Sequence, residues 1–156
     1  MGMFDPLFSK ILIAFDGSEP SKRALDHAAK MAAIFKGELI ILTVVPKAPF
    51  PIIVEEGSTP FRAREYEVYQ ERMKESFSSS LKRAEADIIG RYPGLRYEAV
   101  LLEGRPSSTI VEEAEKRDVN LIMMGSRGLG GITGWILGST SRKVVDQCTK
   151  PILIVK

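Results

Sequence analysis

The chain has 156 residues, 44% of them apolar and 27% charged, a globular composition with room for one ordinary domain and a core of its own. Its 22 Lys and Arg against 20 Asp and Glu leave a net charge of +2, too slight a bias for nucleic acid or an anionic membrane to be the main partner. One cysteine, Cys148, and one histidine, His27, exclude a disulfide framework within the chain and any Cys- or His-rich metal centre.

The opening stretch, MGMFDPLFSK, lacks the basic flank and apolar run of a signal peptide. Pro6 stands where an N-myristoylation signal wants Ser or Thr. No apolar run approaches the ~20 residues of a membrane span, so the expected setting is the cytoplasm. Residues 10–15 (KILIAF) form a continuous apolar run, the pattern of a strand covered on both faces. It stops at Asp16-Gly17-Ser18, where Ser18 is a candidate N-cap and Pro20 falls in the first turn of a helix. Leu25, Ala28, Ala29, Ala32 and Phe35 recur at helical spacing, and Gly37 is expected to end that helix. Residues 38–45 (ELIILTVV) read as a second buried strand, and the prolines of 46–60 as an irregular surface segment.

The longest helix follows, with Tyr66, Tyr69, Met73, Phe77, Leu81, Ala84 and Ile88 as its apolar stripe and Gly90, Pro93 and Gly94 as breakers. That stripe reads as core packing or as part of a partner surface. Residues 97–103 give a third strand, and Pro106 opens a helix that buries Ile110, Val111 and Ala114. Residues 120–124 (NLIMM) are the fourth strand, and after a glycine-rich loop Ser139 or Ser141 can cap a last helix through Val144, Val145 and Cys148, with Cys148 reading as core. His27 reads as a helix-surface or partly buried residue. Pro151 leads into a final strand, 152–155. Five strands alternating with four helices predict an α/β fold, a five-stranded parallel doubly wound sheet with helices on both faces, in a single domain over 1–156.

In such sheets ligands bind beyond the carboxyl ends of the strands, where the strand order reverses. Two loops qualify: 16–18 and 125–141. The second, GSRGLGGITGWILGSTS, carries glycines at 125, 128, 130, 131, 134 and 138. Glycine-dense backbone feeding a helix N-terminus brings N–H groups to an anion without side-chain obstruction, and the helix start favours negative charge. No acid occurs between Val119 and Val145, while Arg127, Arg142 and Lys143 are basic. A phosphate site is the resulting expectation, against a surface loop whose glycines serve only turns. The Walker, GxGxxG and GxSxG patterns do not fit these residues. Asp16 either caps the first helix with Ser18 or contacts the ligand, and ligand contact is the favoured reading. Trp135 has two readings, closure over the phosphates or a subunit contact.

Gly125-x-x-Gly128, nine residues, then Gly138-Ser139 reproduces a G-2x-G-9x-G-(S/T) signature. In that spacing, and in KILIAFDGSEPSKRAL, LIMMGSRG and PILIVK, the chain resembles the ATP-binding branch of the universal stress protein family over residues 9–156. The resemblance implies strand order 3-2-1-4-5 with a nucleotide between the first and fourth strands. It implies that Ala14, Phe15 and Asp16 line the adenosine end and that Val44 packs on the base. Met124 and Gly125 would meet ribose and phosphates, and Gly128, Gly138, Ser139 and Thr140 would hold the phosphate chain, with Arg127 and Ser141 as neighbours. Ala14 stands where some ATP-binding relatives carry proline. The implied cofactor is ATP, with Mg²⁺ or Mn²⁺ held mainly by its phosphates.

The functional expectation is therefore an ATP-binding regulatory stress-response protein with at most slow hydrolysis, since no residue stands as an obvious general base. Two alternatives are a nucleotide-free interaction adaptor of the same fold and an adenine-nucleotide α-hydrolase-like enzyme. The intact glycine signature argues against the first, and the lack of an SGGxDS-type loop after the first strand against the second. The expected partners are a second copy of the chain, joined through the C-terminal strand 151–156, and an unidentified protein. Neither nucleic acid nor membrane is expected.

Overall fold

The computed structural model describes residues 8–47, 60–128 and 137–156. Strands β1 (Lys10–Ala14), β2 (Glu38–Pro46), β3 (Arg96–Gly104), β4 (Leu121–Gly125) and β5 (Ile152–Val155) form one sheet in the order β3-β2-β1-β4-β5. All four pairings are parallel. Helices α1 (Glu19–Phe35), α2 (Pro60–Arg91), α3 (Pro106–Lys116) and α4 (Ser139–Gln147) lie between them in the chain. Fold class and strand order are those expected. Among the described residues no helix is long and apolar enough to cross a membrane.

Alternate residues of a strand face opposite sides of the sheet, and here both sides are covered. Ile11, Ile13, Phe15, Leu39, Ile41 and Met123 pack with Ala24, Leu25, Ala28 and Ala32 of α1 and with Leu81 and Ile88 of α2. Leu12, Ile40, Leu42, Val44, Ile122 and Met124 pack with Ile110 and Ala114 of α3 and with Val144 of α4. This is why 10–15 and 38–45 are uninterrupted apolar runs instead of alternating ones. Ile11, Leu12 and Ile13 have no exposed surface, and burying each contributes about 1.5–3 kcal/mol.

Several boundaries differ from expectation for local reasons. β1 ends at Ala14, although the Phe15 N–H still donates to the Leu42 carbonyl at 2.8 Å before the chain turns away. At the end of α1 it is Lys36 that takes the left-handed conformation (φ 54°). Gly37 is needed instead because a Cβ there would lie 2.5 Å from the Phe8 carbonyl oxygen. α2 runs through Gly90 to Arg91, and the turn comes at Gly94 (φ 88°). Within the apolar stripe of α2, Leu81 and Ile88 are buried and Tyr69 is 55% exposed. Cys148 is half-buried against the α3/α4 side of the core, and His27 is exposed on α1. Residues 48–59, most of the predicted irregular segment, lie outside the described residues, as does Trp135.

Candidate functional site

At the switch point β1 and β4 are neighbours, yet their connections leave toward opposite faces, which opens a crevice beyond their carboxyl ends. A cavity of about 160 Å³ lies there. The end of β1 and the turn after it contribute Ala14, Phe15 and Asp16, and β2 contributes Leu42, Val44 and Pro46. Met124, Gly125, Arg127 and Gly128 come from β4 and the loop beyond it, and Thr140 and Ser141 from the first turn of α4. Every predicted site residue except Gly138 and Ser139 lines this cavity. Those two sit at the start of α4, beside Thr140.

The turn after β1 is held from within. Gly17 takes φ 84°, and the Ser18 N–H donates to Asp16 Oδ1 at 2.9 Å. Ser18 is the N-cap of α1: its Oγ accepts from the Ser21 N–H at 3.3 Å and donates to the Arg127 carbonyl at 3.4 Å. Asp16 and Ser18 thus divide the work that the sequence left open. Ser18 caps the helix and ties the two loops together, while Asp16 braces Ser18 with one oxygen and lines the cavity.

The base of the glycine loop is closed by two links. The Gly138 N–H donates to the Ser126 carbonyl at 2.8 Å, and the buried Ser141 Oγ lies 3.2 Å from the Gly125 carbonyl and 3.1 Å from that of Ser126. The cap of α4 is Gly138, neither Ser139 nor Ser141, and it supplies no side-chain bond to the helix. The first N–H groups of α4 therefore carry the positive end of the helix dipole without a side-chain bond from the cap residue. Gly128 makes room directly: a Cβ on it would lie 2.6 Å from Asp16 Oδ2. Among the described residues no group of three or more His, Cys, Asp or Glu side chains is placed to hold a metal ion.

The cavity has an apolar end (Leu42, Val44, Pro46, Phe77, Ile110) and a polar one (Asp16, Arg127, Gly128, Thr140). Its volume suits a nucleobase-sized group better than a whole nucleoside triphosphate, so a longer ligand must extend beyond the cavity. A larger groove of about 750 Å³ runs between α1 and α2; it reaches Phe15 and Gly17 just past β1 but is otherwise lined by side chains of the two helices, most of them charged. Sequence reasoning missed Ser21, Leu42, Pro46, Phe77, Pro106 and Ile110 as lining residues. The right-handed crossover rule with the strand order points to the N-terminus of α3, and so to Pro106 and Ile110. No sequence signal separates Phe77 from the rest of its stripe.

The fold and the glycine spacing can now be set beside known proteins. The model of the universal stress protein family matches residues 7–156. Universal stress protein MJ0531 of Methanocaldococcus jannaschii is 35% identical over 150 residues, covering 96% of this chain and 83% of that protein. The structure of the universal stress protein UspA from Lactobacillus plantarum superposes with a TM-score of 0.82 at 19% identity, covering 96% of this chain and 98% of that one. A universal stress protein solved in complex with cAMP is 26% identical with a TM-score of 0.63, covering 95% and 96%. With nearly its whole length matched, the chain belongs to the universal stress protein family.

Proposed function

We propose that this chain binds an adenine nucleotide, ATP in the first instance, beyond β1 and β4, and acts as a cytoplasmic regulatory dimer. The observation that carries the reading is an apolar cavity whose other end is a carboxylate, a glycine loop and an open helix N-terminus. The relative solved with cAMP supports an adenine base joined to phosphate as the ligand class. In this reading the base lies against Val44 and Met124, beside Ala14 and Phe15, and Asp16 hydrogen-bonds the ribose. Met124 and Gly125 meet ribose and phosphates, and the phosphates follow Gly128, Gly138, Ser139 and Thr140 with Arg127 nearby. Their negative charge favours the α4 N-terminus.

Mg²⁺ or Mn²⁺ would be held mainly by the phosphates and by water, the way Mg²⁺ is commonly bound. Among the described residues Asp16 is the one carboxylate lining the cavity, and one of its oxygens already serves Ser18. Turnover of Mg-ATP is therefore expected far below the ~10 s⁻¹ of dedicated enzymes. The ligand-bound state would be read by a protein partner. The dimer rests on β5, an edge strand with β4 as its neighbour and with Leu153 41% exposed. An apolar edge of this kind invites a second copy in antiparallel register about a two-fold axis.

Calorimetry with ATP, ADP and AMP tests the orientation. Asp16→Ala is expected to weaken all three alike, and Ser139→Ala with Thr140→Ala to weaken ATP more than AMP. Equal losses in the two variants refute the orientation, and the absence of ATP binding by the parent chain refutes the reading itself.

A further inference from the structure

Thr43 is the one polar side chain in the apolar run 39–45 of β2, and it is 1% exposed. Valine has nearly the same shape and the same preference for a strand, so a hydroxyl buried at this place asks for a cause. Its Oγ1 donates to the Phe15 carbonyl at 2.8 Å. The pairing of β1 with β2 ends at Ala14 and Leu42, and one more rung would set Phe15 opposite Thr43. The Phe15 N–H still makes a ladder bond, to the Leu42 carbonyl at 2.8 Å, whereas its carbonyl takes the side-chain donor. A buried carbonyl needs a partner, and in a continuing parallel ladder the next backbone N–H of β2 would provide it. The hydroxyl satisfies the carbonyl without prolonging the strand, so the chain can turn here.

The carbonyl that Thr43 holds belongs to the planar peptide joining Phe15 to Asp16. Fixed by β2 at both its N–H and its carbonyl, Phe15 delivers the chain to Asp16 in one direction, and both residues line the cavity. Thr43 does not line it, so it acts at one remove. We propose that Thr43 is a positioning residue of the nucleotide site, acting through the Phe15 carbonyl to aim Asp16 at the ligand. The proposal rests on the adenine-nucleotide reading above and deepens it. On its far side Asp16 is braced by the Ser18 N–H on Oδ1. With the peptide before it released, that brace alone would leave Asp16 several orientations, and the ligand would bind only the fraction of molecules with the carboxylate in place.

Two substitutions separate positioning from packing. Thr43→Val keeps the bulk and removes the donor, whereas Thr43→Ser keeps the donor and removes a methyl group. Calorimetry on the full chain is expected to find ATP bound about tenfold more weakly by Thr43→Val. ADP and AMP should weaken by the same factor, because Asp16 serves the part of the ligand that all three share. Thr43→Ser should restore the parent affinity while melting at a lower temperature, since it gives up core contact. A merely structural role predicts the reverse order, with serine the more damaging change. In an Asp16→Ala background Thr43→Val should cost no further affinity, the mark of a residue that acts through another. Should Thr43→Val not fold by circular dichroism, Thr43→Ala beside Thr43→Ser makes the same comparison, since those two differ in the hydroxyl alone. Unchanged ATP affinity in Thr43→Val, an equal loss in Thr43→Ser, or a full further loss on top of Asp16→Ala would overturn the proposal while leaving nucleotide binding intact. Absence of nucleotide binding by the parent chain would overturn the underlying reading and this one with it.

Discussion

Gly128 is where one added carbon closes the polar end of the cavity. A Cβ built on it falls 2.6 Å from Asp16 Oδ2 and 3.8 Å from Asp16 Cγ. Among the described residues the glycines with left-handed φ are Gly17 and Gly94, so alanine can adopt the Gly128 backbone and the contact alone decides the outcome. Oδ2 is the end of a side chain and can rotate away, but Oδ1 accepts the Ser18 N–H at 2.9 Å, and rotation breaks that bond. The loss of stability is about 1 kcal/mol, a melting shift of roughly 2–4 °C for a chain of this size. The loss of affinity is expected to be larger, because the displaced carboxylate would give up the charge-assisted bond to the ligand proposed above. That bond is worth about 1.5–3 kcal/mol, or roughly ten- to hundredfold in Kd. Gly128→Ala is therefore expected to bind ATP ten- to hundredfold more weakly while remaining folded, and Gly128→Val to bind none. Calorimetry paired with a thermal melt reads both numbers on one sample. An unchanged ATP affinity in Gly128→Ala would refute the assignment of this end of the cavity.

Gly17→Ala must hold an L side chain at φ 84° with its Cβ 2.7 Å from Ser80 Oγ. The left-handed backbone costs about 1–2 kcal/mol, so Ser80→Ala in the same chain should restore only part of the lost melting temperature. Full recovery would show that the contact, and not the backbone, is the cause. Glu113 of α3 is held below its ordinary value of 4.5, first by its hydrogen bond from Arg117 at 2.8 Å and then by the charges of Lys116 and Arg117, against the opposing effect of burial. A carboxylate lowered on folding lends its stability in full above that ordinary value and loses it as the pH falls through the lowered one. Arg117→Met should thus be less stable at neutral pH by about 2 kcal/mol and lose less on acidification. Urea unfolding across the acid range checks this, and parallel curves for variant and parent would refute it. Leu153→Lys places a charge on the outer edge of β5 and should shift sedimentation at micromolar concentration from dimer to monomer; a monomeric parent chain would refute the proposed assembly.

The legible part of the fold was the part dictated by burial. Strands covered on both faces must be apolar throughout, so 10–15, 38–45 and 121–124 announced themselves, and the Ser18 cap was readable because its hydroxyl replaces a missing backbone partner. Ends decided by tertiary approach were not legible. Gly37 looked like the left-handed terminator of α1, and only the neighbouring Phe8 and Ser9 backbone shows that its missing side chain serves a close approach. Ser139 and Ser141 looked like caps, yet Gly138 takes that role and Ser141 is drawn inward to the Gly125 and Ser126 carbonyls. Most of the candidate cavity followed from the strand ends and the glycine loop. Phe77 did not, because its position depends on how α2 crosses the sheet after a segment whose sequence fixes no path.

The three glycines of the loop signature look like one device in the sequence, but their surroundings divide them. At Gly125 a Cβ would lie 2.8 Å from the Pro20 carbonyl carbon and 2.9 Å from the Ser21 nitrogen, so the end of β4 must be bare for α1 to start where it does. At Gly138 the nearest atoms are the Arg127 Cα at 3.3 Å and the Ser126 carbonyl oxygen at 3.4 Å, both backbone of the strand-to-loop exit. Only at Gly128 is the first neighbour a side chain of the cavity itself, Asp16. Backbone cannot rotate aside as a carboxylate can. The outer two glycines therefore hold the framework that closes the loop, and the middle one leaves room where a ligand would meet Asp16. A signature made wholly of phosphate contacts would put ligand space above all three. This one needs α1, β4 and α4 to converge first, which is why the loop pattern and the strand order occur together in the same chain.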